Sequence, residues 1–330
     1  MKKRIALLYG GEKSEHDVSV MGYKYVSSLL KGSPYEILPV YITKMGEWYV
    51  GDKSQLRAYP CAYGGGGLYT EDGYVRIDCA IPLLHGRLGE DGSLQGALDI
   101  MGVPYVGADV CTGAVSTDKH YAKLIVSSLG IPTLDSVVFS SPEDTEGALL
   151  KCKERLGFPM FIKPRRLGSS VGAYPVYDEE NFQRCFPLSM KEGENLVIAE
   201  RMLEEKRELE CAFLEMGGKR IITAPGEVHI SGFYGFGEKY GGQTRVSARA
   251  DIGKEYAERI SDYAERIAEA LRLRHLARID FFLSDGTVYF NEVNTFPGFT
   301  ENSLYPKMLE ASGIPPREAI LSFIEDALAC

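Results

Sequence analysis

Apolar positions along the 330-residue chain fall into short runs and helical stripes, separated by glycine-rich polar loops. Residues 5–9 read as a buried strand, and Val18, Met21, Val26, Leu29 and Leu30 then recur at helical spacing. Strand, glycine turn (Gly10-Gly11) and helix make the first step of a doubly wound α/β unit. Residues 35–43 and 47–50 predict further strands. Residues 78–84 predict another, which runs into the loop His85-Gly86-Arg87-Leu88-Gly89-Glu90-Asp91-Gly92 ahead of a helix over 94–101. A second unit opens near Gly107, with a helix that carries Asp118-Lys119 and ends by Gly130, and another begun by Ser141-Pro142-Glu143. Strands follow at 158–163, 173–177, 196–199, 210–215 and 220–228, then a long amphipathic helix over 255–273 and a last one over 316–329.

The densest polar pattern lies between residues 276 and 306. Ala277-Arg278-Ile279-Asp280 and Asn291-Glu292-Val293-Asn294 flank an apolar run broken by Ser284-Asp285-Gly286, which predicts a β-hairpin. A three-residue loop with Gly286 left-handed sets Leu283 opposite Thr287 and Arg278 opposite Glu292. Side chains alternate along a strand, so Arg278, Asp280, Glu292 and Asn294 share one face. Two carboxylates, an amide and a guanidinium are costly to bury without partners. Hard oxygen donors with no Cys or His beside them suit Mg²⁺, which takes one or two carboxylates together with phosphate oxygens. An exposed hairpin with solvated charges satisfies the same pattern, and a two-residue Asp-Gly turn would flip the register and scatter the set.

Composition narrows the class. The chain is 45% hydrophobic and 25% charged, as in ordinary soluble domains, and its length suits two or three of them. A net charge of -9 argues against nucleic acid as a partner. Seven cysteines without a CxxC pair fit free thiols in a reducing cytoplasm better than disulfides or zinc. The apolar run behind Met1-Lys2-Lys3-Arg4 is too short for a signal peptide, and no run approaches the ~18 residues of a membrane span. The expected location is cytoplasmic.

Candidate chemistry gathers in the loops. The GxGxxG dinucleotide fingerprint is absent. Glu15 and His85 both follow strand ends, where ligands of open α/β sheets collect, although Glu15 and Ser19 also suit plain helix capping. Lys163-Pro164-Arg165-Arg166-Leu167-Gly168-Ser169-Ser170-Val171-Gly172 is a basic, hydroxyl-rich loop between two strands. It fits a phosphate cover, with backbone N–H groups and the Lys163 cation, and equally a solvated hairpin tip. Glu200, Leu203 and Glu208 surround a strand end, where the acidic pair could accept from an adenine amino group and a ribose hydroxyl, or simply be solvated. Residues 231–244, rich in Gly and Tyr, read as a mobile loop of the kind used as an active-site lid.

Taken together, the motifs resemble the D-alanine:D-alanine ligases of the ATP-grasp superfamily. The matching segments are GGEKSEHDVS at Gly10, HGRLGEDGSLQG at His85, TDKHYAKL at Thr117, IKPRRLGSSVG at Ile162, FYGFGEKY at Phe233, ARID at Ala277 and NEVNTFPGFTENSLYP at Asn291. They occur in family order and span nearly the whole chain. The resemblance implies a three-domain ATP-grasp architecture of α/β and α+β parts. An N-terminal doubly wound α/β substrate domain occupies residues 1–107, a central subdomain with the phosphate loop 108–199, and a C-terminal subdomain with lid and metal site 200–330.

The resemblance also implies roles. ATP is a substrate, held by Lys119, Lys163, Ser170, Glu200, Leu203, Glu208 and Lys239. Two Mg²⁺, for which Mn²⁺ can substitute, are held by Asp280, Glu292 and Asn294. Glu15 binds the ammonium of a first D-alanine beside His85, and Ser303 and Leu304 hold the carboxylate of a second. Arg278 and the backbone N–H of Gly298 stabilise the oxyanion, and Glu15, Ser169 and Tyr240 form a latch. The implied activity is ADP-forming synthesis of D-alanyl-D-alanine for peptidoglycan, through a D-alanyl phosphate, by a homodimer with no membrane partner. Phe236 replaces a Tyr of many members, the hairpin turn is one residue shorter, and Glu301-Asn302 replaces a common Ser-His beside the second substrate. Tyr240 favours an amino acid over D-lactate as acceptor. A D-alanine:D-serine ligase is the alternative, since a pocket rejects an added hydroxyl by only ~1–3 kcal/mol; a nucleotide-binding protein without turnover is the third reading.

Overall fold

The computed structural model describes residues 2–11, 15–51, 56–229 and 245–329, arranged around three sheets. Lys239, Tyr240, Phe236 and the expected lid lie outside the described residues.

The first sheet comprises β1 (Arg4–Gly10), β2 (Glu36–Ile42), β3 (Trp48–Val50), β4 (Leu56–Pro60), β5 (Gly67–Thr70), β6 (Gly73–Arg76) and β7 (Cys79–Pro82), in the order β6-β5-β4-β3-β2-β1-β7. β1 runs parallel to both β2 and β7, as expected of a doubly wound unit. α1 (His16–Leu29) follows β1, and α2 (Ser93–Met101) follows the loop after β7. β3 to β6 form an antiparallel extension in which β4, β5 and β6 were not legible as strands. Each is only four or five residues long, and β6 is mostly exposed, so neither periodicity nor apolar run marks it.

The expected helix around Asp118 is two helices, α3 (Val110–Thr117) and α4 (Lys119–Ser128). Asp118 divides them by taking an extended conformation and capping α4, its side chain accepting from the N–H of His120. The next helix, α5 (Thr145–Arg155), starts later than Ser141-Pro142-Glu143 predicts, because Asp144 supplies the cap by accepting from Gly147 N–H at 2.7 Å. The second sheet is antiparallel, with β8 (Ser136–Phe139), β9 (Met160–Pro164), β10 (Tyr174–Val176) and β11 (Val197–Arg201) in the order β10-β9-β11-β8, covered by α5 and α6 (Glu179–Glu192).

The third sheet holds β12 (Arg207–Met216), β13 (Lys219–Ile222), β14 (Gly226–His229), β15 (Arg245–Ser247), β16 (Leu276–Ser284) and β17 (Thr287–Asn294). Its main order is β15-β14-β12-β16-β17. α4 and α7 (Lys254–Ala270) pack on it through Ala122, Val126, Ile260 and Ile267. The chain ends in α8 (Leu304–Ala311) and α9 (Pro316–Ala329). Phe323 and Ile324 of α9 share one core with Ile5 and Leu7 of β1 and Ala212 of β12, which ties the first sheet to the third. Among the described residues no helix is long and apolar enough to cross a membrane.

The hairpin of β16 and β17 reaches its expected face by a different register. Asp285 and Gly286 take φ values of 48° and 72°, a two-residue turn of the primed kind that pairs Ser284 with Thr287. The expected three-residue loop and the Arg278–Glu292 pairing are therefore corrected. Carried on regularly, this register would set Asn291 against Asp280 and turn Glu292 toward the core. A β-bulge intervenes, leaving Asn291 unpaired, so that Asp280 faces Glu292 and Arg278 faces Asn294. The extra residue restores the shared face and keeps Phe290 and Val293 buried.

Candidate active site

A cavity of about 550 Å³ opens between the second and third sheets, lined by Lys119, Lys163, Gly168, Ser169, Ser170, Glu200, Leu203, Glu208 and Glu292 among others. Every expected nucleotide residue that is described therefore meets at one space.

β9 and β11 carry the charges of its inner wall. Glu200 lies on β11, an interior strand, and is 2% exposed. Its carboxylate takes Lys163 Nζ and Lys123 Nζ, each at 2.7 Å. This sets aside a solvated acid at a strand edge, since the carboxylate is buried and meets two ammonium groups while lining the cavity. Burial alone would raise the Glu200 pKa, but the two lysines outweigh it and hold the acid far below the ordinary carboxylate range. Burial also works against the Lys163 ammonium, where Glu200 and Glu292 prevail and raise its pKa. Lys119 donates to the Leu167 carbonyl at 2.8 Å and lies 3.3 Å from Glu292. Glu208 pairs with Lys206 at 2.9 Å.

The glycine-rich loop over this wall is anchored at its base. Asp118, fully buried, receives Arg165 through Nε and Nη2 and Arg166 through Nε, at 2.8–3.0 Å. Ser169 and Ser170 sit at φ 52° and 59°, so consecutive residues turn the chain in the left-handed region. Ser169 Oγ donates to Glu15 Oε1 at 2.5 Å, which joins the loop to the first sheet. Glu15 precedes α1 without capping it through its side chain, and Ser19 instead bridges Gly10 N–H and the Leu83 carbonyl. The capping alternative for both residues is thus set aside. Glu15 presses on the His85 loop so closely that a Cβ at Gly86, itself at φ 65°, would meet its Oε2 at 2.0 Å.

His85 Nδ1 lies 3.2 Å from the Phe296 carbonyl, which requires the proton on that nitrogen. Burial holds its pKa below the ordinary value, with Glu15 opposing. Nearby Glu90, absent from the sequence expectations, accepts from Gly86 N–H at 2.7 Å and Phe296 N–H at 3.1 Å. Burial pushes its pKa up to about 7.

On the third sheet Arg278 grips Asp280 through two hydrogen bonds of 2.7 Å and lies 3.2 Å from Glu210. Asn294 Nδ2 donates to Asp280 at 3.0 Å, leaving its amide oxygen as a hard donor beside the two acids. No group of three or more His, Cys, Asp and Glu side chains gathers for a metal among the described residues. Two facing carboxylates and an amide oxygen nonetheless fit Mg²⁺, whose remaining positions go to water and phosphate oxygens. Ser303 stands at the N-cap position of α8 without a side-chain bond to the helix, its Oγ accepting instead from Thr300 N–H at 3.1 Å. Leu304 buries its side chain in the core, so only its backbone N–H serves a ligand there. Gly298 approaches Ser303 closely, since an added Cβ would stand 3.2 Å from Oγ.

Lys123 and Glu90 escaped the sequence reading. Lys123 lies one helical turn after Lys119, a spacing that places both on one face, and Glu90 follows a strand end within a glycine loop.

Comparison with known families decides the assignment. The family model for the D-ala D-ala ligase N-terminus matches residues 4–62 and 65–108, and that for the D-ala D-ala ligase C-terminus matches residues 125–325. The chain belongs to the D-alanine–D-alanine ligase family. A D-alanine–D-alanine ligase of Thermoanaerobacter sp. (strain X514) is 39% identical, with 94% of this chain and 92% of that protein covered. The crystal structure of D-alanyl-alanine synthetase A from Vibrio cholerae superposes with a TM-score of 0.90 at 33% identity, covering 100% and 99% of the two chains. The VanG D-Ala:D-Ser ligase from Enterococcus faecalis does so at 0.89 and 31%, covering 99% and 100%. In this family the three sheets form the ATP-grasp architecture, with an N-terminal α/β part and the cavity between the other two.

Proposed function

We propose that this ligase joins two D-alanines to D-alanyl-D-alanine for peptidoglycan, with ATP converted to ADP. The observation that carries this reading is the convergence of Lys119, Lys163 and Glu292 on one cavity, with Asp280 paired to Glu292 across the hairpin. The carboxylate of the first D-alanine attacks the γ-phosphate to give D-alanyl phosphate, and the amine of the second attacks that carbonyl. Phosphoryl transfer of this kind needs charge neutralisation and in-line positioning more than covalent help. Asp280, Glu292 and Asn294 would hold two Mg²⁺ or Mn²⁺ ions, which when bound neutralise phosphate charge. Lys119, Lys163 and Lys239 add cations, and Ser170, Leu203, Glu208 and the backbone at Glu200 frame the nucleotide.

Glu15 takes the first ammonium beside His85. The N-terminus of α8 at Ser303 and Leu304 takes the second carboxylate, because helix N–H groups and dipole favour an anion. Arg278 and Gly298 N–H receive the oxyanion, and Glu15, Ser169 and Tyr240 latch the site against water. Residues 1–107, 108–199 and 200–330 serve as the three functional units of a cytoplasmic homodimer.

The likeness to the VanG D-Ala:D-Ser ligase, with Glu301-Asn302 beside the second substrate, supports D-serine as the second reading. ADP release and product formation with D-alanine, D-serine and D-lactate as acceptors test both. Equimolar ADP and D-alanyl-D-alanine are expected, with little product from D-lactate. Preference for D-serine at neutral pH would replace the first reading, and ATP binding without ADP release would leave a non-catalytic protein.

A further inference from the structure

Lys123 reaches from α4 into the space behind the nucleotide wall, 5% exposed, with its Nζ 2.7 Å from Glu200 Oε1. Lys163 occupies Oε2 of the same carboxylate from the cavity side, also at 2.7 Å. Lys163 Nζ stands as well 3.4 Å from Asn291 Oδ1, the bulge residue next to Glu292. The cation expected to serve phosphate is thus held between a buried acid and the metal-facing strand.

A buried ion pair is hard to open, because the carboxylate left behind has neither water nor a counter-ion. With Lys163 as sole partner, Glu200 would resist giving up its lysine, and a bare carboxylate would face the incoming polyanion. Two ammonium groups on one carboxylate remove that obstacle. We propose that Lys123 is a positioning residue for the nucleotide, keeping Glu200 neutralised so that Lys163 is released to the phosphates of ATP. The inference rests on the ATP-dependent ligase reading above and adds a residue that reading does not use.

The test compares binding of ATP with Mg²⁺ by calorimetry, and the KM values for ATP and D-alanine, in Lys123→Met, Glu200→Gln and the double variant. Lys123→Met is expected to weaken ATP binding by about tenfold or more, with the D-alanine KM unmoved and kcat at saturating ATP within about twofold. Adding Glu200→Gln to Lys123→Met is expected to recover most of that affinity, since Lys163 is no longer trapped. A lysine that only stabilised the fold would give neither the split between the two KM values nor the recovery. Unchanged ATP affinity in Lys123→Met, or a double variant no better than the single one, overturns the proposal. Should Lys123→Met not fold, Glu200→Gln and the double variant must bind ATP equally, and weaker binding by the double variant overturns it. Failure of the parent protein to bind ATP would instead defeat the ligase reading itself.

Discussion

Glu90 draws its two hydrogen bonds from distant parts of the chain, Gly86 on the first unit and Phe296 beyond β17. Burial raises its pKa from 4.5 to about 7. Between these values the folded protein keeps a proton that the unfolded chain has released, so this residue's contribution to stability falls as pH rises. The cost of the buried carboxylate is absent below pH 4.5 and complete above pH 7. Glu90→Gln is neutral throughout and lacks this slope. Relative to the parent, the variant should gain on the order of 1–3 kcal/mol between pH 5 and pH 8. Thermal unfolding of both proteins at the two pH values reads the effect, and a constant gap between their melting temperatures rules it out. Side-chain chemistry made Glu15, Lys163 and Glu292 legible, because polar residues in glycine loops or apolar strands stand out, whereas Lys119, on a helix, was singled out only by the family resemblance. Lys123 and Glu90 act through partners 77 and 206 residues away in sequence, and no local pattern exposes such pairs.

The β16–β17 hairpin separates what a sequence pattern constrains from what it leaves open. Alternation in Arg278-Ile279-Asp280 and Glu292-Val293-Asn294 demanded one polar face, and the face exists. Polar alternation did not constrain turn length, because a two-residue turn with a bulge and a three-residue turn without one both set Arg278, Asp280, Glu292 and Asn294 on one side. Only the bulged form also turns Phe290 to the core. The short strands β4 to β6 were invisible for the opposite reason, having too few positions to repeat a pattern. Register near the site is held by the buried residues Ile279, Phe281, Phe290 and Val293, with the turn as a passive closure. One glycine inserted between Asp285 and Gly286 should therefore be absorbed as a longer loop, costing roughly 1 kcal/mol or less in stability. The same insertion after Glu292 moves Val293 to the polar face and displaces Asn294, and turnover should be lost. Assay of both insertions decides the point, and equal activity in the two would mean that the turn sets the register after all.

Three sheets become one catalyst only where side chains cross between them. α9 fixes the first sheet to the third with apolar contacts, whereas the second reaches the first through polar ones, notably Ser169 to Glu15. Arg87 and Glu194 add a second link at 2.5 Å, but both are exposed, and such pairs contribute ~0–1 kcal/mol. A hydrogen bond to a charged group contributes ~1.5–3 kcal/mol, enough to change the closed fraction of the loop by tenfold or more. Ser169→Ala removes that bond while leaving Lys163, Asp280 and Glu292 in place. Acyl phosphate would then form under a cover that opens more often, and water would compete with the second D-alanine for its carbonyl. ADP release should accordingly exceed dipeptide formation by several-fold in Ser169→Ala, against a ratio near one in the parent. Cysteine at the same position, a weaker donor, should give an intermediate ratio. Measuring ADP and dipeptide in the same reaction gives the result directly, and a ratio unchanged by Ser169→Ala would mean that the Glu15 contact plays no part in keeping the intermediate from water.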